Sequence, residues 1–208
     1  MKKKIGLLLS LALLLPFQTN AQEKWREGSH YNVIADQGTE KKEVLEFFSF
    51  WCPHCFSYEP LVKEIKTKLA DDVAFKKVHV NFMGFTTTAV QNDATRAMIV
   101  ASELERSDEL NQAIFKYIHV SRSAVTGLTD LKNIFAVNGV KPDEFDKMIS
   151  SFGVKSKLNM NNKSLQEYRK HVSSVPNLVV NGKYQATFTR EMTQDEMVDL
   201  IVFLSNKK

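Results

Sequence analysis

Val44-Leu-Glu-Phe-Phe-Ser-Phe50 runs directly into Trp51-Cys-Pro-His-Cys55. The first segment is almost continuously apolar and rich in strand formers, the pattern of a strand covered on both faces. The residues after it read as a helix, because Leu61, Ile65 and Leu69 recur at steps of four. A second strand is expected over 73–81. From about residue 82 to about 161 the period is helical throughout. Ala94, Ala97, Met98, Ala101 and Leu104 mark one face, Leu110, Ile114, Phe115 and Ile118 a second, and Leu131, Ile134 and Phe135 a third. Thr129 is placed to cap the third of these helices, Gly139 to end it, and Pro142 with Asp143 and Glu144 to open the next. A further helix is expected to end near His171. Leu178-Val-Val-Asn-Gly-Lys-Tyr184 then reads as a β-hairpin, since Asn181-Gly182 supplies the positive φ angles of a type I′ turn. A last helix from about Thr193 to Leu204 completes an α/β chain with an all-helical insertion in its middle.

The chemistry is concentrated where the first strand meets its helix. Cys52-Pro53-His54-Cys55 sets the first thiol at an exposed helix N-terminus, where unpaired backbone N–H groups and the helix dipole favour an anion, and the second about one turn inside. Pro53 stands at an early helical position, where its missing N–H has no intrahelical partner to lose. His54, when protonated, would add positive charge beside the sulfur. The spacing lets either thiol attack a disulfide that involves the other, so a redox-active dithiol is the leading reading. A static bridge is weaker, because so short a loop constrains little of the unfolded chain. A zinc or copper site lacks a second C-x-x-C or a histidine cluster to complete it. Haem attachment fails because Phe56 follows Cys55.

The N-terminus bears on the compartment. Lys2, Lys3 and Lys4 precede an apolar run over 5–15, and Thr19-Asn20-Ala21 offers a small-residue cleavage site. Residues 1–21 therefore read as a signal peptide, too short in its apolar part for the roughly 20 residues of a membrane span. Its removal takes three lysines and no acids, so 28 basic residues become 25 against 24 acidic ones and the net charge falls from +4 to +1. That leaves no basic surplus to argue for nucleic-acid or anionic-membrane binding. Export also places the cysteines where disulfides persist. With 43% hydrophobic and 25% charged residues the composition excludes collagen-like and disordered classes, and two cysteines are too few for a disulfide-stapled mini-protein.

Other residues carry weaker signals. Glu46 interrupts the apolar strand and is either a desolvated carboxylate with a raised pKa or a solvated residue at a sheet edge. Lys77, on the neighbouring strand candidate, is its possible partner, although exposure is the default for lysine. His79, His119 and His171 have no thiol or second ligand near them in sequence, so packing or surface roles are expected. Whether the Val175-Pro176 bond is cis is not encoded in the dipeptide.

Cys52-Pro-His-Cys55 after Leu45-Glu-Phe-Phe-Ser-Phe50, His79-Val-Asn-Phe-Met-Gly84, Val175-Pro176 and Val180-Asn-Gly-Lys-Tyr-Gln185 together resemble the DsbA family of periplasmic thiol:disulfide interchange proteins of Gram-negative bacteria. The resemblance spans essentially the whole chain after the signal peptide. It implies a thioredoxin fold, over 22–81 and 162–208, with the helical insertion at 82–161. It implies that Cys52 is the reactive thiol and Cys55 its buried partner, that Pro176 is cis and faces them beside Val175 as the substrate-binding corner, and that Glu46 and Lys77 are a buried acid and its lysine neighbour. The departures are Trp51, where another aromatic is common, and a short segment over 186–192. The activity so implied is a dithiol oxidase that donates the Cys52–Cys55 disulfide to newly exported proteins with reduced cysteines. It would need no organic cofactor or metal, act in the periplasm as a monomer, and be reoxidised by a DsbB-like membrane quinone oxidoreductase. A disulfide isomerase or reductase of the same fold, or a non-catalytic peptide-binding module, would share parts of this pattern.

Overall fold

The structure, a computed structural model, describes residues 24–207; the expected signal peptide over 1–21 lies outside them. The chain runs β1 (Tyr31–Val33), β2 (Glu43–Phe48), α1 (Pro53–Lys68), β3 (Ala74–His79), α2 (Thr88–Glu103), α3 (Ser107–His119), α4 (Leu128–Val137), α5 (Pro142–Ile149), α6 (Phe152–Tyr168), β4 (Asn177–Val180), β5 (Tyr184–Ala186) and α7 (Gln194–Asn206). The strands form one sheet in the order β1-β5-β4-β2-β3. Only β2 and β3 run parallel; β2 with β4, β4 with β5 and β1 with β5 are antiparallel.

β2 is an interior strand of this sheet, and burial of both its faces explains its nearly continuous apolar run. Leu45 and Phe47 pack with Val78, Val179, Leu165 and Tyr168 on one side. On the other, Val44 packs against α1 and α7 through Leu61, Ile65, Leu200 and Ile201, while Phe48 joins the core under the helical insertion. Phe47, Phe48 and Phe50 are completely buried, each worth roughly 2–3 kcal/mol of apolar transfer. Glu46 falls between Val44 and Phe48 on that second face, so the sheet-edge alternative is overturned: the strand that carries it has a neighbour on both sides.

Several local expectations are adjusted. β3 is shorter than the 73–81 reading, because Val80 already leaves the strand while remaining buried. α4 begins at Leu128 with Gly127 at its N-cap, so Thr129 is inside the helix; instead the Asp130 carboxylate accepts the Thr126 N–H at 2.7 Å. α6 ends at Tyr168, short of His171. It also passes unbroken through 161–162, where the insertion was expected to end, and its last turns pack Leu165 and Tyr168 onto the sheet. One helix thus packs into both the core among the helices, through Val154, and the core on the sheet. β1 has only three residues, too few to show a period, and was missed. The hairpin turn is as expected, with Asn181 at φ 52° and Gly182 at φ 63°; a Cβ on Gly182 would meet Thr39 Cγ2 at 2.9 Å. No helix of the described residues is long and apolar enough to cross a membrane.

Candidate active site

β2 ends at Phe48, and a turn over 49–52 carries the chain into α1. The Cys52 N–H bonds to the Ser49 carbonyl at 3.0 Å. Cys52 is the N-cap of α1 and Pro53 its first residue, so the proline costs no helical hydrogen bond. The Cys52 sulfur accepts the Cys55 backbone N–H at 3.1 Å, as a side-chain cap does. Both cysteines are free thiols in this structure. Contrary to the expectation of an exposed first thiol, Cys52 is only 4% exposed, because the loop before β4 covers it and brings the Val175 carbonyl to 3.5 Å from its sulfur. The Val175–Pro176 peptide bond is cis.

These contacts set the two thiols apart. Cys52 is lowered from 9.0 to about 7, first by the Cys55 thiol, which donates to its sulfur, and further by the backbone N–H groups of Cys55 and His54; burial and the Glu46 charge oppose the shift. Cys55 is pushed up, first by Cys52 and then by its own burial, with Glu46 adding to the rise. His54 therefore reaches the sulfur through its main chain, while its side chain lies on the exposed surface.

Beneath the thiols lies a charge cluster. Glu46 pairs in register with Lys77 across β2 and β3, and Lys77 Nζ stands 2.8 Å from Glu46 Oε2 and 2.7 Å from Glu59 Oε1. The same ammonium lies 4.5 Å from the centre of the Phe48 ring. Burial raises the Glu46 pKa, Lys77 holds it back and Glu59 adds to the rise. Lys77 is raised despite its burial, through the two carboxylates. Glu59 also lines a groove of about 550 Å³ between α1 and α3 with Phe56, Lys63 and Gln112.

The fold thus brings together Cys52, Pro53, Cys55, Glu46, Lys77, Val175 and Pro176, with His54 at the outer rim. Sequence reasoning missed Glu59, although it is four residues after Cys55 and so shares its helix face. It also left His79 and His119 as packing or surface residues. His79 is fully buried against Phe48, Phe50 and Trp51, and burial lowers its pKa to about 3. His119, at the end of α3, reaches the Phe50 carbonyl. His171 does lie apart from the site, its carbonyl taken by Gln185. Among the described residues no group of three or more His, Cys, Asp or Glu side chains is placed to hold a metal ion.

Comparison with known proteins agrees with this geometry. The family model described as DSBA-like thioredoxin domain matches residues 43–200. The chain belongs to that family. The thiol:disulfide interchange protein DsbA of Escherichia coli K12 is 32% identical over 99% of this chain and all of its own length. DsbA of Haemophilus influenzae is 32% identical over 88% of this chain and 87% of that protein. Among solved structures, the disulfide oxidoreductase DsbA from Proteus mirabilis superposes with a TM-score of 0.76 at 26% identity, covering 88% of this chain and 98% of that one. The α/β architecture is accordingly a thioredoxin fold with a helical insert.

Proposed function

We propose that this member of the DSBA-like family, a thiol:disulfide oxidoreductase, works as a dithiol oxidase through Cys52. In the oxidised enzyme a substrate thiolate attacks Cys52 Sγ; the Cys52–Cys55 bond breaks and Cys55 leaves with the electron pair. The substrate's second thiolate then attacks its own bridged sulfur, the mixed disulfide breaks, and Cys52 leaves as thiolate. The substrate loses two electrons and the enzyme dithiol gains them. The observation that carries this reading is the asymmetry of the pair: the sulfur that must leave last is the one stabilised as an anion by helix N-terminal donors.

The neighbouring groups have roles that follow from position. Cys55 leaves into a buried site, where an unpaired thiolate is costly, and Glu46 is the acid near enough for its charge to be felt at both sulfurs. With a raised pKa it supplies a proton to Cys55 on one step and accepts it on the return. Lys77 keeps that carboxyl from becoming permanently neutral. Val175, whose carbonyl lies 3.5 Å from the Cys52 sulfur, and cis-Pro176 after it offer the substrate strand its docking corner. The partners supported by this reading are exported proteins with reduced cysteines and, for reoxidation, a DsbB-like membrane quinone oxidoreductase. It further assigns the mature protein to the periplasm, with residues 1–21 as its signal peptide, and requires no cofactor beyond the cysteine pair.

Equilibration of the purified protein with reduced and oxidised glutathione tests the proposal. The dithiol should be favoured far more than in an ordinary structural disulfide, and the oxidised form should transfer its bridge to a reduced, unfolded protein. A Cys52–Cys55 disulfide that glutathione scarcely reduces would make the bridge structural and overturn the reading.

A further inference from the structure

We propose that His119, contributed by the helical insertion, is a positioning residue for the thiol exchange, holding the peptide that leads into Cys52 by its Phe50 carbonyl. Phe50 is completely buried and lies beyond the end of β2, so its backbone N–H and carbonyl have no partner in the sheet ladder and need others. Both partners are histidines. The N–H donates to His79 Nε2 at 3.2 Å, and the carbonyl is 2.8 Å from His119 Nε2.

The chemistry of these contacts fixes both imidazoles. A carbonyl can only accept, so the His119 nitrogen that meets it carries the proton. His79 Nε2 accepts from Phe50, so its proton is on Nδ1, which faces Thr95 Oγ1 at 2.9 Å; the Thr95 hydroxyl in turn donates to the Gln91 carbonyl at 3.0 Å. One imidazole donates and the other accepts, so together they grip one residue by both of its polar backbone atoms. His79 is itself fastened to the insertion, since the Asn161 side chain of α6 bonds its N–H at 3.0 Å and its carbonyl at 2.9 Å.

His119 also touches the other side of the cysteine motif. Its ring stacks on Phe56 with centroids 5.3 Å apart and planes 10° apart, and Phe56 stacks in turn on Phe115 of α3. Phe56 follows Cys55 directly and Phe50 precedes Cys52 by two. One side chain of α3 therefore brackets the motif, and the cap geometry at Cys52 depends on a turn whose second residue it holds.

This inference rests on the oxidase reading, and the experiment separates the two. His119→Phe keeps an aromatic ring against Phe56 but loses the donor, whereas His119→Gln keeps a donor without the ring. In the reduced proteins the thiolate absorbance of Cys52 is titrated, and the equilibrium with glutathione and the rate of exchange are measured beside the melting temperature. His119→Phe should raise the Cys52 inflection by roughly half a unit, make the protein less oxidising and slow exchange by about threefold, the scale of one lost hydrogen bond; His119→Gln should return all three towards wild type. Nitrogen NMR of the unsubstituted protein should find His119 protonated at Nε2 and His79 at Nδ1. A lowered melting temperature with unchanged inflection and equilibrium would make His119 a packing residue only, and a His119 without a proton on Nε2 would overturn the proposal even if the variants failed to fold. A wild-type protein that does not oxidise substrate would instead defeat the oxidase reading.

Discussion

Around Cys52 the chain presents hydrogen-bond donors; one helical turn away, around Cys55, it presents hydrocarbon and a carboxylate. Both thiols are buried, so burial alone would raise both. Two things separate them: the Cys55 thiol donates to the Cys52 sulfur, and Cys52, at the N-cap, also collects N–H groups of α1 that have no intrahelical acceptor, so its pKa falls to about 7. Cys55 meets the Glu46 charge with fewer donors and goes the other way. The comparison teaches that the pair shares one negative charge, and that the Cys55 thiol and the helix-terminal N–H groups together place it on Cys52.

The sharpest way to break the comparison is Cys55→Ala. It removes the thiol that donates to the Cys52 sulfur, the largest cause of its low pKa, along with the partner of the disulfide. Catalytic oxidation should disappear, since no intramolecular bridge can form, and Cys52 should instead accumulate a mixed disulfide by attacking oxidised glutathione and expelling one glutathione thiolate. The Cys52 inflection should rise by about one unit in the thiolate absorbance titration, short of the full return to 9.0 because the backbone donors remain. An unchanged inflection would assign the whole effect to the backbone and remove Cys55 from the account.

Glu46→Gln tests the other half. A carboxyl whose pKa is higher in the folded than in the unfolded protein favours folding fully below its unfolded value, near 4.5, and that stability is lost as pH rises through the folded value. The variant should therefore match wild type at acid pH and gain stability above it, by about 1–2 kcal/mol at neutral pH in the oxidised protein, with Lys77 still paired to Glu59. Removing a charge that raises both thiols should also lower the Cys52 inflection slightly, yet exchange near neutral pH should slow, because the proton handler is gone. Denaturation midpoints across pH 4 to 8 and stopped exchange assays check both. Equal midpoints and equal rates would leave Glu46 as a filler of space.

What could be read in advance follows the same division. The β2 strand, the cysteine spacing and the N-cap role of Cys52 are local, written in residues 44–55, and needed no knowledge of the rest. The burial of Glu46 is not local: it depends on β2 being flanked by β3 and β4 and covered by α1 and α7. Lys77 became its partner through strand register. His119 lies 64 residues from Cys55 by number, and only the packing of α3 on α1 brings its ring to Phe56. Nor does period show that α6 exchanges one core for the other along its length, because period alone does not register which core a helix faces.

The smallest expected effect concerns His54, where sequence and structure argue differently. The motif suggests an imidazolium beside the sulfur, while the geometry gives Cys52 the His54 backbone N–H, a donor that any residue except proline would supply at that position. His54→Leu keeps this donor and removes only the side chain, which is exposed and therefore screened by water and salt. The Cys52 inflection should rise by about half a unit, roughly 0.7 kcal/mol in favour of the thiol, and the equilibrium with glutathione should move by a corresponding factor of about three. The rise should shrink as salt is added, because a charge acting through solvent is screened whereas a backbone hydrogen bond is not. A shift that exceeded the Cys55→Ala effect and survived high salt would show that the His54 side chain, and not the Cys55 thiol with the helix terminus, is the main source of the low thiol pKa.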